Sequence, residues 1–189
     1  MSDFLDKFLD EGSFRLPEQL AISILSKAED VHLGPKDDLV RCGKMDSNVY
    51  IVSEGILRMW YFDGDKEVTL GFTDIGTIFV SLFGYFRHLP AFISVTACTK
   101  CVVKKIPKDV FDGIVKESHV FSNWIYSVAI HQLFASEMKL SLINGTAKDR
   151  YVALIKNRPD IIMNVPMKTI ASYLGVSPSY LCKVKRSLK

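Results

Sequence analysis

The chain has 189 residues, 48% of them hydrophobic and 24% charged, which supports one large domain or two small ones with proper cores and excludes a disordered chain. No apolar run approaches the roughly 18 residues that span a bilayer, and the amino terminus MSDFLDKFLDEG is acidic where a secretory signal is basic, so a cytoplasmic protein without membrane contact is expected. The net charge of +3 is unevenly spread: residues 166–189 hold five of the twenty-four basic residues and none of the twenty-one acidic ones, the footprint of a localised nucleic-acid contact on a mildly acidic body.

Residues 1–28 read as helical, with Phe4, Leu5, Phe8 and Leu9 at helix spacing and Pro17 opening a second helix. From Val31 to about Ile106 the period changes to two, and Gly34-Pro35, Gly43, Gly55, Asp63-Gly64 and Gly76 punctuate a series of short strands. The Asp-Gly pair between LRMWYF and EVTLGF predicts a hairpin, and so many short strands in succession predict a small barrel or jelly roll.

In a reducing compartment the four cysteines, Cys42, Cys98, Cys101 and Cys182, read as buried thiols. Cys98 and Cys101 form a C-x-x-C, but residues three apart on a regular strand point to opposite faces, and no second such pair or neighbouring histidine accompanies them. His32, His88, His119 and His131 lie far apart and form no H-x-H or H-E-x-x-H. No metal, cofactor or enzymatic activity is expected.

After Pro107 the period returns to 3.6, with a short helix over Lys108 to Lys116 and a long one from His119 to about Leu142. Along the long helix Trp124, Val128, His131, Ala135, Met138 and Leu142 alternate four and three residues apart, a coiled-coil seam that predicts a homodimer. Ile125, Ile130, Leu133, Phe134 and Leu140 widen the apolar surface, so one side can lie on the strands while the other takes a partner. The alternative is a helix buried wholly within one chain. Asn144-Gly145 ends the helix as a hinge, and Thr146 to Lys156 opens the last domain.

The last two dozen residues form two short helices around a turn. Ile170, Ala171, Leu174, Val176, Leu181 and Val184 are the inward positions, Gly175 supplies the turn, and Ser177 followed by Pro178 caps and starts the second helix. With an acid-free exposed face this reads as a helix-turn-helix for double-stranded DNA. If the second helix enters the major groove, Ser179, Tyr180 and Lys183 face base edges, while Lys168, Ser177, Lys185 and Arg186 reach phosphates. Tyr180 also has a reading as a packed aromatic.

The phrase SNVYIVSEGILRMWYFDGDKEVTLGF, then a long helix, then VPMKTIASYLGVSPSYLCKVKRSL, resembles the Crp/Fnr family of bacterial transcription regulators over nearly the whole chain. The resemblance implies an α+β protein in three parts. Residues 1–117 would be a cyclic-nucleotide-binding-like sensor folded as a double-stranded β-helix (jelly roll), 118–143 a dimerisation helix, and 144–189 a winged-helix-like helix-turn-helix whose wing is reduced, since little room separates Pro159 from Pro166. It implies a homodimer on a near-palindromic promoter site, with RNA polymerase and an unidentified small-molecule effector as further partners.

The family's ligand motif departs here. Its cyclic-AMP-binding members use a glycine-glutamate pair for the ribose and an arginine followed by serine or threonine for the cyclic phosphate. This chain has no glutamate between Glu67 and Glu117, and only Arg87 and His88 stand near the phosphate position, as ligand candidates or as solvated loop residues. A pocket lined by Phe79, Leu82, Phe83, Tyr85 and Phe86 would be too apolar to replace the missing carboxylate. The expectation is a DNA-binding regulator that does not bind cyclic AMP. The alternative is a sensor module that acts through protein contacts without DNA.

Overall fold

The computed structural model describes residues 2–143 and 145–188, with the side chains of residues 2 and 139–143 outside the described part. Asn144 of the expected hinge and the side chain of Leu142 therefore lie outside the described residues. Helices α1 (Ser2–Leu9) and α2 (Glu18–Leu25) precede strands β1 (Glu29–Leu33), β2 (Asp38–Val40), β3 (Val49–Glu54), β4 (Leu57–Asp63), β5 (Lys66–Phe72) and β6 (Ile78–Val80). A short helix α3 (Leu82–Arg87) interrupts the strands before β7 (Ser94–Ala97) and β8 (Cys101–Ile106). Helices α4 (Lys108–Glu117), α5 (His119–Ile143), α6 (Ala147–Asn157), α7 (Pro159–Asn164), α8 (Met167–Tyr173) and α9 (Pro178–Arg186) complete the chain.

The strands form two antiparallel four-stranded sheets, ordered β1-β8-β3-β6 and β2-β7-β4-β5. Strand β3 shows why they stack. Its alternate side chains serve different cores: Tyr50 and Val52 face inward with Leu57, Val95 and Val103, while Val49 and Ile51 face outward onto the helices. Covered on both faces, the strand is buried from Val49 to Ser53. The expected hairpin forms, with Asp63 opposite Lys66 and Gly64 at φ 59 in the first position of its two-residue turn.

Three sequence expectations change. Residues 82–87 form helix α3, capped by Ser81 and closed by His88 in the left-handed conformation at φ 51; its aromatic content disguised a six-residue helix. The reduced wing is replaced by helix α7, started by Pro159, and no strand occurs among the described residues after Ile106. The cysteines are not uniformly buried: Cys42 and Cys182 are exposed, Cys98 is half-buried, and only Cys101 is buried. Cys101 turns into the core between the sheets, whereas Cys98 packs against the carboxy-terminal helices, so the pair serves two different clusters. Burial pushes the Cys98 thiol up to about 11, although Arg58 opposes the shift.

The outer face of the first sheet carries α1, α2, α4 and the start of α5. Trp124 is fully buried there, edge-on to Phe8 at 5.2 Å and stacked on Phe121 at 5.8 Å, and its Nε1–H donates to Leu9 O at 3.3 Å. Trp124→Ala is expected to cost about 3–5 kcal/mol of stability, read from the urea unfolding midpoint. A loss below about 1 kcal/mol would contradict this packing.

Candidate nucleic-acid interface

Helix α6 starts with a reciprocal capping box, in which Thr146 and Asp149 satisfy each other's backbone N–H groups. Tyr151 and Leu154 on its inner face join Ile161, Val165, Ile170, Ala171, Leu174, Leu181 and Val184 in one cluster. Ala171 is wholly buried, and the Val176 N–H donates back to its carbonyl at 3.0 Å, closing the turn between α8 and α9. Gly175 holds that turn at φ 68, where a Cβ would be strained. Ser177 accepts from the Tyr180 N–H at 3.2 Å, and Pro178 takes the first turn of α9.

This seating gives α9 two unlike faces. Leu181 and Val184 point into the cluster, while Ser177, Ser179, Tyr180, Lys183, Lys185 and Arg186 are exposed, as is Lys168 on α8. Tyr180 is 50% exposed, which removes its reading as a packed aromatic. Among the described residues none of these four cations is paired with a carboxylate. Cys182, exposed on the same helix, was not foreseen at this face.

The dimer seam expected from sequence is divided by the structure. Trp124 and Val128 are buried within the chain and cannot meet a partner, because this part of α5 lies on the first sheet and its helices. His131, Ala135 and Met138 are exposed. Gln132 still reaches the body through a 2.8 Å bond to Ile78 O, and every described side chain from His131 to Met138 is exposed. Among the described residues the exposed large apolar side chains on α5 are Val120, Tyr126, Leu133, Phe134 and Met138; Met138 continues the stripe of Trp124, while Tyr126 and Leu133 lie opposite it with Phe134 on their flank. Helical spacing marks this set as readily as the other; only the position of the body separates them.

The expected ligand pocket is not assembled. Arg87 and His88 are exposed at the end of α3. Phe79 stacks on Tyr50 at 5.5 Å, Tyr85 is buried on the helical side against Phe111, and Leu82, Phe83 and Phe86 face solvent, because the helical turn of α3 sends consecutive residues in different directions. Tyr50 also donates to Asp46 at 2.7 Å and packs in the core between the sheets, and burial raises its pKa. Helix α3 presses on the same loop: a Cβ on Gly84 would lie 1.7 Å from the Asp46 carbonyl oxygen. A cleft of about 880 Å³ opens elsewhere, between α1, the β5–β6 loop and α7, lined by Asp6, Lys7, Glu11, Asp74, Arg158 and Asp160 among others. Burial raises the pKa values of Glu11 and Asp74 there, and Arg158 opposes the shift at Asp74.

Among the described residues no group of three His, Cys, Asp or Glu is placed to hold a metal ion, and no helix is long and apolar enough to cross a membrane.

Residues 30–118 match the family profile described as "Cyclic nucleotide-binding domain". The global regulator CLP of Xanthomonas campestris, described as responsive to c-di-GMP, has a similar structure with 15% identity, a TM-score of 0.74 and 91% of both chains covered. FixK2 from Bradyrhizobium japonicum is similar at 14% identity and a TM-score of 0.74, over 85% of this chain and 84% of that one. The catabolite activator protein of Thermus thermophilus is similar at 16% identity and a TM-score of 0.58, over 92% of this chain and 84% of that one. No curated protein gives a significant sequence match. Residues 30–118 therefore match the cyclic nucleotide-binding domain profile, within a chain that shares the fold of these solved regulators.

Proposed function

We propose that the protein is a homodimeric, sequence-specific DNA-binding transcription regulator of the Crp/Fnr type. The observation that carries the reading is α9, a short helix anchored by Leu181 and Val184 that presents Tyr180, Lys183, Lys185 and Arg186 to solvent in an acid-free segment. In this reading residues 1–117 are a jelly-roll sensor, 118–143 a dimerisation helix, and 144–189 a helix-turn-helix domain without a wing. Ser179, Tyr180 and Lys183 read base edges, and Lys168, Ser177, Lys185 and Arg186 contact phosphates. The apolar side of α5 with Tyr126, Leu133 and Phe134 meets its twofold mate, placing the two recognition helices on half-sites about one DNA turn apart. RNA polymerase is the further partner such a regulator would engage.

The sensor does not take cyclic AMP. The missing glutamate between Glu67 and Glu117 supports this, as do the solvent-facing Arg87 and His88 and the inward-packed Tyr50 and Phe79. If an effector exists, its chemistry differs from that of a cyclic nucleotide held by a ribose-binding carboxylate.

Selection from a random duplex pool is expected to return a near-palindromic consensus. On that duplex Lys185→Ala should weaken binding to all sequences and flatten the salt slope by about one, while Lys183→Ala should relax one base position by about 1–3 kcal/mol. Equal losses on specific and unrelated duplexes for both variants would remove the base-reading role. Phe134→Glu should halve the mass measured by analytical ultracentrifugation; an unchanged dimer would move the interface elsewhere. Cyclic AMP at saturating concentration should leave Tm unchanged, since only a ligand that binds the folded state raises it.

A further inference from the structure

Strand β5 is the outermost strand of the sheet ordered β2-β7-β4-β5, so one row of its backbone groups has no strand to pair with. One side chain on α8 supplies what a strand would. The Thr69 N–H donates to Ser172 Oγ at 3.0 Å, the Thr69 hydroxyl donates to the same oxygen at 3.1 Å, and Ser172 Oγ–H donates to the Glu67 carbonyl at 2.8 Å. Thr69 is 3% exposed beneath this contact.

The contact is built into a polar row that crosses the sheet. Arg58 Nε donates to Thr69 Oγ1 at 2.9 Å, its Nη1 reaches Glu67 at 2.7 Å, and its guanidinium lies 5.0 Å over the Trp60 ring. Trp60 donates in turn to Thr96, which donates to Asp38, so the row runs from β5 to β2. Two further contacts flank Ser172: Tyr173 packs on Phe72 with ring centres 5.2 Å apart, and Arg158 pairs with Asp74 at 2.7 Å. Three contacts at separate points leave the α6–α9 unit little freedom to rotate on the sheet. All of them use α8, α6 or their ends, and the exposed face of α9 stays clear.

We propose that Ser172 is a positioning residue: it clamps the α6–α9 unit onto the open edge of β5 and thereby presets the direction of the α9 face. The inference rests on the reading of the chain as a dimeric DNA-binding regulator. Because the clamp leaves α9 uncovered, it prepares the head for DNA and does not block it. Two heads held rigidly tolerate one half-site separation; loosened heads tolerate several and lose affinity for the correct one through the freedom they must give up on binding.

The test compares wild type with Ser172→Ala, which removes the hydroxyl, and Ser172→Thr, which keeps it. Amide hydrogen exchange at Thr69 is measured together with affinity for the selected duplex, for duplexes with the half-sites moved by about one or two base pairs, and for a single half-site. Ser172→Ala should speed exchange at Thr69, weaken binding to the correctly spaced duplex about tenfold and reduce the penalty for altered spacing, with single half-site affinity unchanged. Ser172→Thr should restore the spacing penalty. An unchanged spacing penalty in Ser172→Ala overturns the proposal, as does tighter binding, which would make the contact a restraint against DNA. Should the wild type bind no duplex, the DNA reading fails on its own, and unchanged Thr69 exchange in Ser172→Ala then sinks the clamp.

Discussion

The burial of Trp124 decides the direction of the long helix, and most of the remaining architecture follows from it. The indole sits between Phe8 and Phe121 and donates to the Leu9 carbonyl, while Ser127, one turn along, accepts from the Ser13 N–H at 3.0 Å. Gly12 is required there, since a Cβ would stand 2.9 Å from the indole nitrogen. These contacts tie the end of α1 to the start of α5 and turn Tyr126, Leu133 and Phe134 away from the sheet. Every described side chain from His131 to Met138 is exposed, so Leu133 and Phe134 are covered only if something else covers them. A second copy of the same helix is the cover the proposed function supplies.

Much of this was legible in the residues. Period-two stretches became strands, the Asp63-Gly64 signal became a hairpin whose turn is Gly64-Asp65, and Gly175 with Ser177-Pro178 marked the end of α8 and the start of α9 to within two residues. The failures share one physical cause: each depended on a neighbour far away in the chain. Along α5 apolar residues occur on nearly every side, so spacing selected the Trp124–Val128 stripe as outward when the sheet and α1 occupy that side. Helix α3 is six residues long and rich in aromatics, below the length at which helical period can be distinguished from a buried strand. Its turn also scattered four of the five side chains expected around one pocket, and the fifth, Phe79 on β6, stacks on Tyr50. Ser172 carried no signal at all, because its partners stand 103 and 105 residues earlier.

The two cores that share β3 also explain why the two-sheet part of the chain has an interior of its own making. Tyr50 reaches Asp46, stacks on Phe79 and joins Val52, Leu57 and Val103, and Gly84 brings α3 against the same Asp46 loop. Admitting a polar ligand at this point would require the tyrosine hydroxyl and the Asp46 carboxylate to find other partners. The chain's own polar groups are already matched to one another there, so a cyclic nucleotide would have to displace satisfied contacts without gaining the missing glutamate.

The junction between the two sheets and the carboxy-terminal helices has the opposite character, and its chemistry suits orientation more than adhesion. Its apolar part is small, drawing Ile56, Phe72 and Cys98 from the two-sheet part into the helical cluster. Its polar part is specific: Ser172 accepts two hydrogen bonds and donates one, and Thr69 links it to Arg58. A hydrogen-bonded network in a half-dry interface adds modest net stability, since water would serve the same groups in the separated state, yet every partly broken arrangement leaves a donor or acceptor unsatisfied. Intermediate orientations are therefore penalised more than full release. Such a junction favours one defined pose of the carboxy-terminal helices over a continuum, which is the property that, under the proposed function, two symmetry-related recognition helices would need in order to measure a fixed separation along DNA.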